Sequence, residues 1–210
     1  MSESMTVGAA AGDVYQAQGY LSPIRIMSEA GAGQLADKIA GIYDDHGVEA
    51  KGLLGSNAHL IFPELFDLVC NPAILDRVEE VLGPDILCWS AAFFSKPAHD
   101  PSFVSWHQDL TYWGLEPADI ITAWVALTPS TKESGCMRVV PGTHNEGQLG
   151  HSDTYVAENL LSRGQVLDVQ VDEDEAVDLI LRPGEMSLHH VLIVHGSELN
   201  RTDLPRHGFV

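Results

Sequence analysis

Two side chains that can bind a metal ion stand two positions apart near the middle of the sequence. His107 and Asp109 occur within the stretch Ser105-Trp106-His107-Gln108-Asp109-Leu110, a short polar insertion in an otherwise apolar region. Residues two apart project from the same face of an extended strand, so the imidazole and the carboxylate can bind one ion if this stretch is a strand. The bare pair is weak evidence, because a hydrogen-bonded structural pair has the same spacing.

A third candidate ligand, His195, follows an apolar run and precedes Gly196. Glycine in a strand lets the backbone approach a ligand closely. Two imidazoles and one carboxylate on one side of a metal leave its other positions open, which suits Fe(II) with a bidentate cosubstrate and dioxygen. Zinc accepts the same donors, but the HExxH motif of zinc peptidases does not occur in the sequence. Fe(II) is therefore favoured.

Arg206 is a candidate anchor for a carboxylate, eleven residues after His195 in a chain with only 11 lysines and arginines. A guanidinium fork can hold a carboxylate through two parallel hydrogen bonds. The alternative is a surface ion pair with an acid such as Asp203, which we favour for the neighbouring Arg201. Contact with an anionic group and a surface ion pair both stay open for Arg138, Arg163 and Lys96.

Composition limits the class of protein. The 210 residues carry 30 Asp plus Glu against 11 Lys plus Arg, and the formal net charge of −19 disfavours nucleic-acid binding. Three cysteines without a CxxC pair argue against a disulfide framework or a zinc cluster. No apolar run reaches the roughly 18 residues of a membrane span. We therefore expect a cytoplasmic protein with neither nucleic acid nor membrane as a partner.

The elements that must position these residues predict an α+β, mainly β fold. Helices are expected between Ser28 and Gly47 and between Asn71 and Gly83, from their caps and apolar spacing. Short β-prone runs separated by turns follow from Ile86 onward, which indicates a sandwich or jelly-roll core behind N-terminal helices. These runs are 86–94, 103–107, 120–127, 137–140, 165–171, 176–181 and 186–195.

Three segments have separate expectations. Residues 1–13 are small and polar and are predicted to be a flexible arm, which leaves residues 14–210 as a single domain. The long connection 145–164 is predicted to be a functional lid. The acidic run 172–175 is predicted to be a solvated hairpin turn without a function, because it lacks the glycine-punctuated alternation of a calcium loop.

Several sequence blocks, in this order and spacing, make the chain resemble the phytanoyl-CoA dioxygenase family from about Ile86 to its end. The N-terminal half resembles the family more loosely. The blocks are His107-Gln108-Asp109-Leu110, Pro117-x-Asp119-x-Ile121, Ala123-Trp124-x-Ala126-Leu127, Gly135-Cys136-Met137 with Pro141-Gly142-Thr143-His144, and His195-Gly196-Ser197 followed by Arg206.

The resemblance implies a double-stranded β-helix, also called a jelly roll or cupin, that binds Fe(II) and the cosubstrate 2-oxoglutarate. The family's fold continues in a strand beyond the cosubstrate arginine, so the chain end at Val210 leads us to expect a truncated C-terminus. The implied iron ligands are His107, Asp109 and His195. The implied cosubstrate residues are Arg206, assisted by Ser197, with Trp124 and Gln108 beside them.

Three further histidines are weaker candidates for metal ligands. His189 is an even number of residues from His195 and is the main rival as an accessory ligand. His190 is an odd number away, which predicts the opposite strand face and a structural role. His144 is predicted to order its turn or to line the substrate mouth.

The implied reaction is hydroxylation of a small-molecule substrate by dioxygen, with release of succinate and CO2. Related halogenases carry a small residue where Asp109 stands, so the carboxylate favours hydroxylation over halogenation. We expect a small polar or anionic substrate, such as an amino acid, an aminophosphonate or a carrier-linked acid, because few basic residues are available for coenzyme A phosphates. The alternatives are an acyl-CoA hydroxylase, a non-catalytic cupin-like metal-binding protein and a metal-assisted hydrolase.

Overall fold

Two predicted helices are confirmed by their capping residues in the computed structural model, which describes residues 9–210. The Ser28 hydroxyl accepts a hydrogen bond from Gly31 N at 3.1 Å, and the Asn71 side chain accepts one from Ala73 N at 2.9 Å. Each bond satisfies a backbone N–H that the first helical turn leaves without a partner. The helices are α1 (Ala9–Gln18), α2 (Glu29–His46), α3 (Ala50–Leu53), α4 (Pro63–Val69), α5 (Pro72–Leu82) and α6 (Leu110–Trp113).

The strands pair in antiparallel fashion and form the expected jelly roll. A five-stranded sheet has the order β1-β9-β4-β11-β2, and a four-stranded sheet has the order β3-β10-β5-β8. A small third sheet pairs β6 with β7. The strands are β1 (Tyr20–Arg25), β2 (Phe93–Lys96), β3 (Val104–His107), β4 (Ile121–Ala126), β5 (Met137–Val140), β6 (His151–Asp153), β7 (Gln165–Leu167), β8 (Val177–Asp178), β9 (Glu185–His190), β10 (Val194–Ser197) and β11 (Arg206–Phe209).

Two apolar cores lie on opposite faces of the five-stranded sheet. Alternate residues of β4 divide between them, because successive side chains of a strand point to opposite faces. Val125 packs with the helices on the outer face, whereas Trp124 and Ala126 pack between the two sheets. The polar side chains on the inner face therefore line the interior of the jelly roll.

The predicted strand 186–195 is wrong as a single element, because it is two strands in different sheets. Val191 and Ile193 are apolar and buried and Leu192 is half-buried, yet the three residues form the turn between β9 and β10. The His190 ring accepts a hydrogen bond from Leu192 N at 3.0 Å, and the His190 carbonyl accepts one from Ile193 N at 2.9 Å. These bonds satisfy the backbone of a turn that has no glycine or proline, so the chain can reverse there.

The predicted N-terminal boundary is also corrected. Residues 9–13 form the first half of α1 instead of an arm, and an Ala-rich start favours a helix. The rest of the predicted arm lies outside the described residues. The predicted strand 86–94 begins only at Phe93, where β11 provides a pairing partner. None of the helices within residues 9–210 is long and apolar enough to cross a membrane.

The segments beside the barrel are held by specific bonds. The predicted lid 145–164 contains β6, which pairs with β7, and Phe103 N donates a hydrogen bond to the Glu158 carbonyl at 3.0 Å. In the acidic run, Asp172 caps a short 3-10 turn formed by Glu173–Glu175. Glu173 also pairs with Arg138 at 2.7 Å, so this turn has a partner on the barrel.

Candidate metal and cosubstrate site

The two predicted histidine ligands lie directly opposite each other on neighbouring strands. His107 ends β3, His195 lies near the start of β10, and the two residues are paired in the antiparallel register. Their ring centroids are 4.1 Å apart, and both side chains are buried. The histidines therefore meet through strand pairing, although 88 positions separate them in the sequence.

Asp109 reaches the histidines from a turn and not from the strand. The strand ends at His107, and Asp109 occupies the N-cap position of α6 with helical backbone angles (φ −60°, ψ −35°). The predicted same-face arrangement on one strand is therefore wrong, although the two side chains do converge. Asp109 Oδ1 lies 3.4 Å from His107 Nε2 and 3.6 Å from His195 Nε2. One potential ligand atom from each residue falls within 4.8 Å of the others.

Backbone carbonyls fix the orientation of both imidazoles. His107 Nδ1 donates to the Ser105 carbonyl at 2.9 Å, and His195 Nδ1 donates to the Ile193 carbonyl at 3.0 Å. Because a carbonyl only accepts, each Nδ1 carries the proton and each Nε2 lone pair faces the centre. A metal-binding histidine is usually oriented in this way, by a hydrogen bond from the ring nitrogen that does not bind the metal.

The charge states suit a cation at the centre. Burial lowers the pKa of His195 to about 3, with the neighbouring His107 adding to the shift, so His195 is neutral at physiological pH. Burial opposes ionisation of Asp109, but the imidazoles around it outweigh that cost and hold its pKa well below the usual range. A neutral imidazole from His195, the imidazole of His107 and one carboxylate therefore converge on a buried point.

The second oxygen of Asp109 faces two polar side chains from the opposite sheet. The Thr122 hydroxyl donates a hydrogen bond to Asp109 Oδ2 at 3.0 Å, and His189 Nε2 lies 3.5 Å from the same oxygen. Thr122 on β4 and His189 on β9 are cross-strand partners. His189 thus approaches the carboxylate from the five-stranded sheet, and its ring centroid lies 4.8 Å from that of His195. Sequence reasoning missed Thr122, since a threonine on a strand is commonplace.

Arg206 is deeply buried and its partners are uncharged. Its exposure is 2%, one terminal nitrogen donates to the Gly135 carbonyl at 2.6 Å, and its guanidinium carbon lies 5.1 Å from the centre of the Trp124 ring. Nε is buried without a hydrogen-bond partner among the described residues. Gly208 permits this stacking, because a side chain there would overlap the Trp124 ring. A buried guanidinium in such surroundings is stabilised by an anion.

Lys96 lies beside Arg206 and completes a cationic pocket that the sequence analysis did not identify as such. Lys96 is fully buried on β2, directly opposite Arg206 in the strand register. Its Nζ donates to Ser197 Oγ at 2.7 Å and to the Glu198 carbonyl. Burial lowers the pKa of Lys96 to about 7, and Arg206 contributes further to the shift. Of the two alternatives left open for Lys96, the surface ion pair is therefore wrong. The sequence feature that could have indicated a buried Lys96 is the segment Phe93-Phe94-Ser95-Lys96, a mostly apolar strand that ends in a lysine.

Two strands each contribute one residue to the metal-binding group and another, two positions later, to the cationic pocket. β4 carries Thr122 at the metal-binding end and Trp124 at the cationic end. β10 carries His195 and Ser197 in the same way. Two residues of a strand span about 6.7 Å. The interior therefore offers a cation-binding point and an anion-binding point at a separation that matches a short dicarboxylate.

Gln108 is committed to the surrounding loops. Its amide nitrogen donates to the carbonyls of Gly147 and Leu192 at 3.0 and 2.7 Å, and its oxygen accepts from Leu149 N at 2.8 Å. The side chain is fully buried between these backbone segments. Gln108 therefore fastens the 147–149 segment to the β9–β10 turn, and its position beside the cosubstrate stays a prediction.

Other predicted or neglected residues lie outside the metal-binding group. His144 Nε2 donates to the Gln16 carbonyl at 3.1 Å, so this side chain docks α1. Arg201 forms the predicted kind of surface ion pair, with Glu198 at 3.8 Å as the acid. Tyr112, which sequence reasoning missed, packs edge-on against His107 with ring centroids 6.0 Å apart, and Arg163 stacks over it at 5.5 Å.

Comparison with known proteins gives sequence relatives for most of the chain. The family model described as phytanoyl-CoA dioxygenase (PhyH) matches residues 15–208. The human peroxisomal phytanoyl-CoA dioxygenase is 33% identical over 144 residues, which are 66% of this chain and 42% of the relative. A probable alpha-ketoglutarate-dependent hypophosphite dioxygenase of Stutzerimonas stutzeri is 29% identical over 153 residues, 71% of this chain and 52% of the relative. The chain thus spans about half the length of these curated relatives.

Solved structures share the fold over nearly the whole chain. The non-heme monooxygenase ThoJ in its apo form has a TM-score of 0.84 at 33% identity, covering 95% of this chain and 75% of that one. CytC3 with Fe(II) and alpha-ketoglutarate has a TM-score of 0.69 at 25% identity, covering 96% and 75%. Together with the family model, which covers more than half of the sequence, these matches lead to one conclusion. The chain belongs to the phytanoyl-CoA dioxygenase family.

Proposed function

We propose that the protein is an Fe(II)- and 2-oxoglutarate-dependent dioxygenase that hydroxylates a small polar or anionic substrate. The observation that carries the proposal is the pairing of two sites inside one barrel. His107, Asp109 and His195 converge at one point, and the buried cations Arg206 and Lys96 lie about two strand residues away. Neither site alone specifies this chemistry, whereas the combination matches a metal and a dicarboxylate bound together.

The donor set fits Fe(II). Two imidazoles and one carboxylate occupy one side of a metal and leave positions open for a chelating cosubstrate and dioxygen. The two Nε2 atoms and Asp109 Oδ1 are the atoms that would hold the ion. A closed structural zinc site would instead use four protein ligands. His189 faces the other carboxylate oxygen and does not complete such a set.

The cationic pocket fits the distal carboxylate of 2-oxoglutarate. Arg206 has a buried Nε without a partner among residues 9–210, so a guanidinium edge is available for an oxygen acceptor. Ser197 and Lys96 already form a hydrogen-bonded pair beside it, which can offer further donors. Trp124 packs against the guanidinium and restricts its position.

When Fe(II) and 2-oxoglutarate are bound, they supply the activation of dioxygen and the oxidation of a substrate C–H bond, with succinate and CO2 as coproducts. The residues of this chain bind and orient both groups and exclude water from the interior. Asp109 also occupies the place that a halide would need beside the ion. Hydroxylation is therefore the proposed outcome, in preference to halogenation.

A small substrate is favoured by the charges around the barrel. Arg138 is paired with Glu173 at 2.7 Å and with Asp178 at 3.4 Å, so it is not available for coenzyme A phosphates. Arg163 stacks over Tyr112 next to His107 and lies 3.8 Å from Asp153, which leaves one partly shielded cation near the metal-binding group. The hypophosphite named for the S. stutzeri relative is a small anion. An acyl-CoA substrate, as the human relative's name indicates, is the second candidate.

The proposal is tested by anaerobic titration of the purified protein with Fe(II) and 2-oxoglutarate. We expect a weak visible charge-transfer band that requires both components and is absent with succinate. Succinate formation and oxygen consumption are then measured with panels of small anions, amino acids and acyl-CoA esters. If metal-loaded, folded protein shows no band, the proposed cosubstrate is wrong. If acyl-CoA esters are turned over and the small anions and amino acids are not, the proposed substrate class is wrong.

A pH dependence of cosubstrate binding follows from Lys96. Since its pKa is lowered to about 7, Lys96 loses its positive charge as the pH rises from about 6 to about 9. We expect the affinity for 2-oxoglutarate to fall about tenfold or more over this range, because a hydrogen bond from a charged donor is replaced by a neutral one. Titrations with Ni(II) as a redox-inert metal measure the effect.

Two variants separate Lys96 from other causes. Lys96→Met should bind more weakly at pH 6 and lose most of the pH dependence. Lys132→Met is the matched control, because Lys132 has a side-chain exposure of 72%. An equal pH slope in Lys96→Met and in the unmodified protein would contradict the assignment of this titration to Lys96.

A further inference from the structure

We propose that His189 is a positioning residue for the metal site. Acting from the sheet opposite the two ligand histidines, it holds the second oxygen of Asp109, so that only one oxygen of this carboxylate faces the metal. The inference rests on the proposed function, because it assumes that His107, Asp109 and His195 bind the ion. It differs from an accessory-ligand role, in which His189 itself would contact the metal.

The backbone does not fix the direction of the Asp109 carboxylate. Asp109 lies in a turn at the start of a four-residue helix, and its side chain makes no capping hydrogen bond to that helix. A short carboxylate in such a place rotates freely unless other side chains hold it. The atoms that approach it belong to side chains from β3, β10, β4 and β9.

The two carboxylate oxygens have different surroundings. Oδ1 lies within 3.6 Å of both ligand Nε2 atoms. Oδ2 accepts the Thr122 hydroxyl at 3.0 Å and lies 3.5 Å from His189 Nε2. Thr122 and His189 are adjacent in the strand register, so they form one surface against Oδ2. The geometry assigns Oδ1 to the metal and Oδ2 to the protein.

The burial of His189 is explained by this contact. Its exposure is 2%, and Nδ1 has no hydrogen-bond partner among the described residues. With the proton on Nε2, the ring donates toward Asp109 and leaves on Nδ1 only a lone pair, which costs less to bury than an N–H group. A buried imidazole without any polar contact would be replaced at lower cost by an apolar side chain.

The consequence is an open position on the metal. A carboxylate that binds through both oxygens occupies two positions, and one of them is needed by the chelating cosubstrate or by dioxygen. Contacts that orient a ligand typically contribute 10- to 100-fold in metal affinity or activity. The loss of the His189 contact should therefore weaken metal binding by about that factor and change the coordination of the ion.

The test uses three replacements that place a donor differently. His189→Gln carries its side-chain nitrogen near the place of Nε2, His189→Asn carries it near the place of Nδ1, and His189→Leu carries none. Co(II) affinity is measured by anaerobic titration without 2-oxoglutarate, and the visible Co(II) spectrum reports coordination. We expect His189→Gln to stay within about threefold of the unmodified protein. His189→Asn and His189→Leu should lose about 10- to 100-fold and show an altered spectrum.

His59→Leu is the matched control for the cost of removing a buried imidazole. His59 is also buried with an unpartnered Nδ1, but it lies in the helical layer at residues 58–60. We expect this variant to lose stability and to keep the Co(II) affinity and spectrum of the unmodified protein. Thermal unfolding of all variants without metal shows which losses reflect folding.

Three outcomes would overturn the role of His189. Unchanged Co(II) affinity in His189→Leu would show that the contact does not position Asp109. Equal losses in the Gln and Leu variants, matched by equal losses of stability, would indicate packing alone. A spectral change in His189→Gln as large as that in His189→Leu would show that the imidazole is itself a ligand. If the unmodified protein binds no metal, it is the proposed function that fails.

Discussion

Replacement of His195 by alanine is expected to abolish Fe(II) binding at micromolar metal and to eliminate substrate-dependent succinate formation. His195 supplies one of three donor atoms, and it is the donor contributed by a strand paired with β3. Loss of a contact that only orients a ligand already costs 10- to 100-fold in affinity, so loss of the ligand itself should cost more than about 100-fold. Metal content after anaerobic loading and the 2-oxoglutarate band measure both effects.

His99→Ala provides the matched control for this experiment. His99 is exposed and contacts Asp203 at 2.8 Å, away from the barrel interior. We expect it to keep the metal content and activity of the unmodified protein. Thermal unfolding without metal shows whether His195→Ala remains folded, as the comparison requires. Full iron binding by a folded His195→Ala protein would show that the ligand assignment is wrong.

Replacement of Arg206 by methionine is expected to separate cosubstrate binding from metal binding. The apparent Kd for 2-oxoglutarate should rise by about 100-fold or more, since truncation of one partner of a buried charge pair costs about 2–5 kcal/mol. Fe(II) or Co(II) affinity without the cosubstrate should stay near that of the unmodified protein. Titration of the metal-loaded protein with 2-oxoglutarate gives the first value, and direct metal titration gives the second.

Stability should change in the opposite direction to function in Arg206→Met. Without an anion, Arg206 and Lys96 are buried cations directly opposite each other, and like charges in this position destabilise a sheet. The variant loses the hydrogen bond to the Gly135 carbonyl but also removes that repulsion. We therefore expect a thermal midpoint equal to or above that of the unmodified apo protein.

Arg201→Met and Arg206→Lys complete the comparison. Arg201 is exposed beside Glu198, and its replacement should leave 2-oxoglutarate binding unchanged. Arg206→Lys keeps the charge but loses the planar fork, so its affinity should lie between those of Arg206→Met and the unmodified protein. An unchanged Kd in Arg206→Met would mean that 2-oxoglutarate binds elsewhere in the barrel.

The sequence indicates the participants of the metal-binding group better than the way in which they meet. His107, Asp109 and His195 converge as predicted, but the strand assumed to join the first two ends at His107. The carboxylate reaches the centre because the chain turns into α6. This difference could not be read from the spacing, since a strand and a strand-to-helix turn both allow a pair two residues apart to approach one ion.

The remaining differences arise from contacts between distant segments. The turn at 191–193 is apolar, and it forms because the His190 ring satisfies its backbone, so hydrophobicity alone predicts a continuous strand. Lys96 has the usual appearance of a surface residue, and only its register opposite Arg206 places it inside the barrel. Thr122 and His189 gain their position from the pairing of β4 with β9. Such contacts depend on topology, which local patterns do not encode.

Side chains from both sheets contact Asp109. The distance between the sheets therefore affects the position of this carboxylate, and with it the reactivity of the site. His107 and His195 belong to the four-stranded sheet, whereas Thr122 and His189 belong to the five-stranded sheet. A change in the apolar filling between the sheets, for example at Val139 opposite His195, shifts one pair of contacts relative to the other. Reactivity can thus evolve by core substitutions that never touch metal or substrate.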